Sequence, residues 1–203
     1  MKLIGITGGV GAGKSVIISY IRQNYNCRVE LADEVAHKLE EPGEVCFDKL
    51  VALLGEGILK DGHIDKKLMA NAIFADKELI DKVNDIVHPA VLDYFLREID
   101  KERQNNKIDF FFIEAALLIE CGYEKIMDEL WYVYASESTR RERLKSSRGY
   151  SDEKIDGIFK SQLSDDEFRE GCAFVIDNDG DIEAAHKQID ERLRGFIWIP
   201  TVH

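Results

Sequence analysis

Along the chain, β-prone apolar runs alternate with stretches in which apolar side chains recur every three or four positions. The first run, residues 2–7, stops at a cluster of glycines, and from Lys14 onward Val16, Ile17, Tyr20 and Ile21 share one helical face. That order predicts strand, glycine loop, helix. A second short strand over 29–31 leads into a helix through Val35 and Leu39 that stops before Pro42 and Gly43. Another helix is predicted over 45–54, then a turn-rich connection at Gly55, Gly57, Asp61 and Gly62, then helical spacing over 68–74 and 79–87. Pro89 is expected to interrupt that run and to open a new helix with Val91, Leu92, Phe95, Leu96 and Ile99 on its inner face.

Residues 108–113 are almost continuously apolar, the pattern of a strand covered on both sides, as in parallel sheets between helices. Further strands are predicted over 130–135 and 174–176, each followed by a helix that starts at Ser136 or Asp181. Residues 151–163 carry Ile155, Ile158, Phe159 and Leu163 on one stripe, and Ser164 with Glu167 has the spacing of a capping box. Strands alternating with helices predict an α/β fold with a parallel sheet wrapped on both sides. With no internal repeat, low-complexity tract or linker, residues 1–203 read as a single domain.

At 203 residues, 45% hydrophobic and 33% charged, the chain has the composition of a globular protein with a real core. Its 27 basic and 39 acidic residues leave a net charge of −12, which argues against nucleic acid or an acidic membrane as partner. A polyanionic ligand would have to be met by a local basic site. The longest apolar stretch, 110–119, is broken by Glu114 and is shorter than the roughly 18 residues of a membrane span. The amino end leads into Gly13, Lys14 and Ser15 rather than a cleavage site, and Cys27, Cys46, Cys121 and Cys172 form no CxxC pair. A cytoplasmic protein with ordinary thiols is expected.

Gly8-Gly9-Val10-Gly11-Ala12-Gly13-Lys14-Ser15 matches G-x-x-x-x-G-K-[ST], between a predicted strand and a predicted helix. Glycines let successive N–H groups turn toward phosphate oxygens, and the helix N-terminus adds the positive end of its dipole. Lys14 would reach the β- and γ-phosphates, and Ser15 would place its hydroxyl on Mg²⁺. A nucleoside triphosphate site, with ATP and Mg²⁺, is the strongest reading.

Phosphoryl transfer also needs further positive charge and a group that orients the acceptor. Arg140, Arg141, Arg143, Lys145 and Arg148 crowd into nine residues of an otherwise acidic chain. They read either as a solvated helix face paired with Glu137 and Glu142, or as a lid whose arginines close over the triphosphate, with Gly149 as its flexible end. Asp33, after the second strand, suits a general base or a helix cap. Glu114, ending a buried strand, suits a carboxylate on Mg²⁺ or a structural ion pair.

With these residues in hand, nearly the whole chain resembles the dephospho-coenzyme A kinases. The resemblance is carried by residues 5–15, Ala32-Asp33, Glu41-Pro42-Gly43, Asp61-Gly62 with Ile64-Asp65, and Ile86-Val87-His88-Pro89. It continues through Leu117-Leu118 with Glu120, Arg143-Leu144 with Arg148, Gln162, and residues 173–178. The resemblance implies a P-loop NTPase core in three α/β/α layers with a five-stranded parallel sheet, a helical acceptor-binding region over about 60–105 and a lid over about 138–150. It also implies an activity, ATP-dependent phosphorylation of the ribose 3′-hydroxyl of dephospho-coenzyme A, the last step of coenzyme A synthesis. By that likeness Lys14, Asp33 and Arg143 are catalytic, and Gly9, Gly11, Ala12, Gly13, Lys14, Ser15, Val16, Arg148 and Asn178 bind ATP. Asp33, His88, Leu117 and Glu120 lie toward the acceptor, and Ser15 and Glu114 hold the metal. His88 also reads as a cap for the helix opened by Pro89, and Asn178 as part of a turn with Asp179 and Gly180. The partner is a small molecule, and the protein is expected as a monomer or weak homo-oligomer.

The chain departs from the family's pattern at Leu31, where a first carboxylate is usual, and at Glu114 and Ala116, where Asp and Pro are usual. Lys66 stands for Arg, which loses a bidentate phosphate grip, and Phe174 stands for Asp. Several of these lie toward the acceptor side. They leave open a P-loop kinase of another nucleoside or nucleotide, and a nucleotide-binding regulatory protein without efficient transfer.

Overall fold

The computed structural model describes residues 1–74 and 76–196; Ala75 and residues 197–203 of the expected 1–203 domain lie outside the described residues. In chain order the elements are β1 (Lys2–Thr7), α1 (Lys14–Asn24), β2 (Cys27–Leu31), α2 (Ala32–Leu39), α3 (Phe47–Leu54), β3 (Leu59–Lys60) and β4 (His63–Ile64). There follow α4 (Lys66–Ile73), α5 (Lys77–Asn105), β5 (Phe110–Glu114), β6 (Glu129–Tyr134), α6 (Glu137–Arg148) and α7 (Asp152–Lys160). The last are α8 (Asp165–Gly171), β7 (Phe174–Asp177) and α9 (Ile182–Arg194). The chain divides into two compact units, Met1–Val29 with the chain from Asn106 onward, and Glu30–Asn105.

The first unit is built on the five-stranded parallel sheet, in the order β2-β5-β1-β6-β7, with flanking helices. β1 is central, in parallel register with β5 (Ile6 opposite Glu114) and with β6 (Thr7 opposite Tyr132). Strand order reverses at β1, so the crevice of the fold opens at its carboxyl end, where the glycine cluster begins. The apolar run predicted over 108–113 is strand from Phe110, and Phe110, Phe111, Phe112 and Ile113 are all at most 2% exposed. Burial on both faces explains why this segment shows no alternation. Phe112 meets Trp131 edge to face at 5.9 Å, and Trp131 meets the half-buried Phe174 the same way at 5.2 Å, so Phe174 packs against the edge of the core.

Four of the helix starts predicted from sequence hold, whereas the one expected at Pro89 does not. Ser136 caps α6, Ser151 caps α7, Asp181 caps α9, and Ser164 with Glu167 forms a complete capping box on α8. At the far end of α1, Tyr20 and Tyr25 both donate to Asp190 Oδ1 of α9, at 2.8 and 2.5 Å.

The second unit is helical, with a two-residue hairpin of β3 and β4 turning at Asp61 and Gly62. This hairpin was expected only as a turn-rich connection. Asp65 then caps α4 by accepting from Lys67 and Leu68. The expected break at Pro89 does not occur: α5 runs unbroken for 29 residues through it. A proline there removes the bond to the Asp85 carbonyl, but both residues are exposed, so water can take that carbonyl. Val83, Val91, Phe95 and Ile99 keep one apolar face continuous across the proline. Lys38 of α2 lies over the Tyr94 ring at 4.9 Å.

Candidate active site

β1 ends at Thr7, whose hydroxyl donates to the Ala116 carbonyl at 3.2 Å, and the chain then turns through Gly8 to Gly13 into α1. Gly8, Gly11 and Gly13 have φ of 147°, 86° and 93°. Gly8 has no alternative: a Cβ there would sit 2.5 Å from the Val133 main-chain oxygen. Ala12 N–H bonds back to the Gly9 carbonyl at 3.1 Å, closing the loop. Gly13 is the N-cap of α1, whose first turn carries no acidic residue, so its positive end is not neutralised from within. Ser15 and Val16 are exposed on that turn.

Lys14 Nζ donates to the Gly8 carbonyl at 2.6 Å and lies 3.6 Å from Glu114 Oε1. A cation arched over a loop of N–H groups is a cradle for phosphate oxygens. Ser15 and Glu114 offer a hydroxyl and a carboxylate, hard oxygen donors that suit Mg²⁺, which keeps most of its shell for waters and phosphates. Among the described residues no group of three or more His, Cys, Asp or Glu side chains could hold a metal by itself.

The basic run folds as α6, and its members divide. Arg140 is 7% exposed: its Nε donates to the Val10 carbonyl at 3.0 Å, a second nitrogen donates to Gln162 Oε1 at 2.8 Å, and the guanidinium lies 4.4 Å above the Phe159 ring. Arg143 donates to the carbonyls of Ala12 at 3.2 Å and Asn178 at 2.9 Å. Arg141 pairs with Glu137, Asp152 and Asp156 at 2.9, 3.0 and 2.6 Å, and Lys145 pairs with Asp152 at 2.7 Å. Arg148 is exposed, 5.9 Å from the Tyr150 ring centre. So Arg141 and Lys145 form a paired outer face, while Arg140 and Arg143 are bonded to main-chain carbonyls of the phosphate loop.

Asn178, at the end of β7 and 3% exposed, donates its amide to the Ala12 carbonyl at 2.7 Å, beneath Gly13. The turn it begins is anchored by Asp179 Oδ1, which accepts from Ser136 N and Oγ at 2.8 and 2.7 Å. Hydrogen bonds from Thr139 and Ser136 hold that carboxyl below the usual range. Leu117 and Glu120 are exposed in the turns after β5.

Asp33 and His88 belong to the second unit. Asp33 is exposed in the first turn of α2, whose N-cap is Leu31 and makes no side-chain cap bond, so Asp33 is not the cap. His88 is half-buried on α5, and burial pushes its pKa down against the opposing charge of Asp85. With α5 continuous, His88 caps nothing.

The first unit therefore brings together the loop from Gly8 to Val16, Glu114, Arg143 and Asn178. From the sequence Arg140 reads only as one of the lid arginines, and Gln162 carries the resemblance without a role of its own. Their target, Val10, lies 130 and 152 residues away in sequence, and no local pattern records that.

A glycine loop joining the central strand of a parallel sheet to a helix, with a lysine arched over it, defines a P-loop nucleotide-binding fold. Residues 2–184 match the family model described as dephospho-CoA kinase. The chain is 37% identical over 191 residues to a dephospho-CoA kinase of Aquifex aeolicus, covering 93% of this chain and 94% of that one. It is 32% identical over 199 residues to one from Carboxydothermus hydrogenoformans, covering 98% and 96%. The crystal structure of TT1252 from Thermus thermophilus superposes with a TM-score of 0.82 at 26% identity, covering 97% and 98%. The chain belongs to the dephospho-CoA kinase family.

Proposed function

We propose that this protein transfers the γ-phosphoryl group of ATP to the ribose 3′-hydroxyl of dephospho-coenzyme A, giving coenzyme A and ADP in the last step of coenzyme A biosynthesis. The observation that carries this is the phosphate loop closed under Lys14, in a chain matched to the family from residue 2 to residue 184. Membership disfavours a kinase of another nucleoside or nucleotide.

The loop N–H groups and Lys14 hold the β- and γ-phosphates, as their positions at the carboxyl edge of β1 suit. Ser15 and Glu114 would hold Mg²⁺, which would supply neutralisation of the phosphate charge. The 3′-oxygen attacks the γ-phosphorus in line, the bond to the β–γ bridging oxygen breaks with its electron pair leaving on ADP, and the hydroxyl proton passes to Asp33. Exposure of Asp33 in the first turn of α2 leaves its carboxylate accessible to a substrate. Arg143, with a nitrogen 3.4 Å from where a Gly13 Cβ would lie, adds positive charge beside the loop, and Arg148 supplies more at the end of α6. Asn178 borders the adenine side, and His88, Leu117 and Glu120 receive the acceptor. We assign the reaction to the cytoplasm, to a monomer or weak homo-oligomer acting on small molecules rather than nucleic acid. Four cysteines that are all thiols support that compartment, and no helix among the described residues is long and apolar enough to cross a membrane.

The test is ADP release in the presence of Mg²⁺, coupled to a spectroscopic readout, with dephospho-coenzyme A against adenosine and AMP. Only the first should stimulate release far above background; equal stimulation by AMP overturns the acceptor assignment. Lys14→Ala and Asp33→Asn should each lower turnover by orders of magnitude in folded protein, and near-normal rates would remove those residues from the mechanism.

A further inference from the structure

Val10, at the crest of the phosphate loop, is held at both of its main-chain groups. Its N–H donates to Gln162 Oε1 at 3.1 Å and its carbonyl accepts from Arg140 Nε at 3.0 Å. The two side chains are joined in turn, Arg140 donating to the same Gln162 oxygen at 2.8 Å. Gln162 follows the end of α7, and Phe159, near the end of that helix, backs the guanidinium at 4.4 Å. On the other side the guanidinium lies against Gly9, where a Cβ would come within 2.3 Å of it.

Two features set this clasp apart from ordinary packing. The acceptors that hold this largely buried cation by hydrogen bonds, a main-chain carbonyl and a carboxamide, are neutral, Asp165 and Glu137 acting on it only through space, and a buried charge so held is often no more stable than an apolar pair of the same size. Stability alone is therefore a poor reason for it. The loop it holds contains Gly8, Gly9, Gly11 and Gly13, each of which loses more conformational freedom on ordering than any other residue would. If that ordering occurred only when a triphosphate arrived, it would be deducted from affinity; done in advance, it is not.

We propose that Gln162 and Arg140 are positioning residues for the phosphate loop, their clasp on Val10 pre-setting its backbone for the triphosphate of ATP. This rests on the ATP-binding reading above. Gln162 acts through the loop, so its loss weakens ATP binding and leaves the acceptor's own affinity alone.

The experiment is calorimetry of Mg·ATP binding, with steady-state kinetics in both substrates, on the wild type, Gln162→Leu and Gln162→Glu. Gln162→Leu removes the shared acceptor, and ATP affinity should fall and its KM rise by roughly tenfold to a hundredfold. The KM for dephospho-coenzyme A should stay within about twofold. Gln162→Glu offers a carboxylate oxygen to both donors and should return ATP affinity to within about threefold of wild type. An unchanged ATP affinity in Gln162→Leu, a parallel rise of both KM values, or no recovery in Gln162→Glu overturns the proposal. Should Gln162→Leu fail to fold, Gln162→Asn, one methylene too short to span both donors, must show the same selective defect or the proposal falls. The wild type separates this from the function itself: if it binds ATP without phosphorylating dephospho-coenzyme A, the functional reading fails while the calorimetric comparison still decides the clasp.

Discussion

Gly8→Ala is the sharpest probe of how the phosphate loop is seated on the sheet. The added methyl would lie 2.5 Å from the Val133 carbonyl oxygen and 3.4 Å from that residue's carbon and nitrogen, all main chain of β6. The approach is about 0.8 Å closer than a weak C–H···O contact of about 3.3 Å, and no side chain can rotate out of the way. The backbone itself has φ of 147°, a conformation that costs an L-residue about 1–3 kcal/mol. Overpacking against a fixed strand adds about 1–3 kcal/mol. A loss of about 2–6 kcal/mol at about 2–4 °C per kcal/mol predicts a midpoint lower by about 4–24 °C in a chain of this length. Relief comes only by lifting the loop off β6, which also displaces the carbonyl that receives Lys14 Nζ at 2.6 Å. A shift of about 1 Å in a positioning element lowers kcat/KM for ATP by about a hundredfold. Thermal unfolding by circular dichroism and initial rates under varied ATP measure both. A midpoint within about 1 °C of wild type, or kcat/KM within about twofold, would refute this seating of the loop.

Three further outcomes follow from local features. Gly157 lies exposed inside α7 with open space around its Cα, so Gly157→Ala should raise stability by about 0.5–1 kcal/mol in urea unfolding; a destabilised variant would mean the helix is not as described. Burial lowers the pKa of His88, so its NMR titration midpoint should fall below 6.5. The unfolded chain then binds a proton first, and the contribution of His88 to stability is present above about pH 6.5 and lost as pH falls toward the folded midpoint. A midpoint above 6.5 would contradict the burial of the ring. The Cys172 thiol is pushed up to about 12 by burial, so at pH 8 it should react with a disulfide reagent far more slowly in native protein than after unfolding, and equal rates would disprove its protection.

What could be read in the sequence was whatever a short window contains. The phosphate loop was legible because its glycines, Lys14 and Ser15 are contiguous and their flanking strand and helix are periodic. The caps at Ser136, Ser164 and Asp181 were legible for the same reason. β5 could be placed because burial on both faces leaves an unbroken apolar run. The hairpin of β3 and β4 escaped notice, since two-residue strands are too short to show alternation. Pro89 misled because its local chemistry argues for a helix start, whereas the apolar face from Val83 to Ile99 holds the helix through it. The division of labour within α6 was illegible to any short window, since Val10 and Ala12, which Arg140 and Arg143 hold, lie more than 100 residues earlier and their other partners, Gln162 and Asn178, lie 22 and 35 residues later.

That division makes α6 respond to its medium on one side only. Exposed pairs such as Arg141 with Asp156 weaken as dissolved ions shorten the reach of charge to about 8 Å at physiological strength and about 3 Å in molar salt. Arg140, 7% exposed and held by neutral hydrogen-bond acceptors, is far less open to that shielding. Brine should therefore loosen the outer coupling of α6 to α7 long before it disturbs the grip beneath, a built-in order of failure along a single helix.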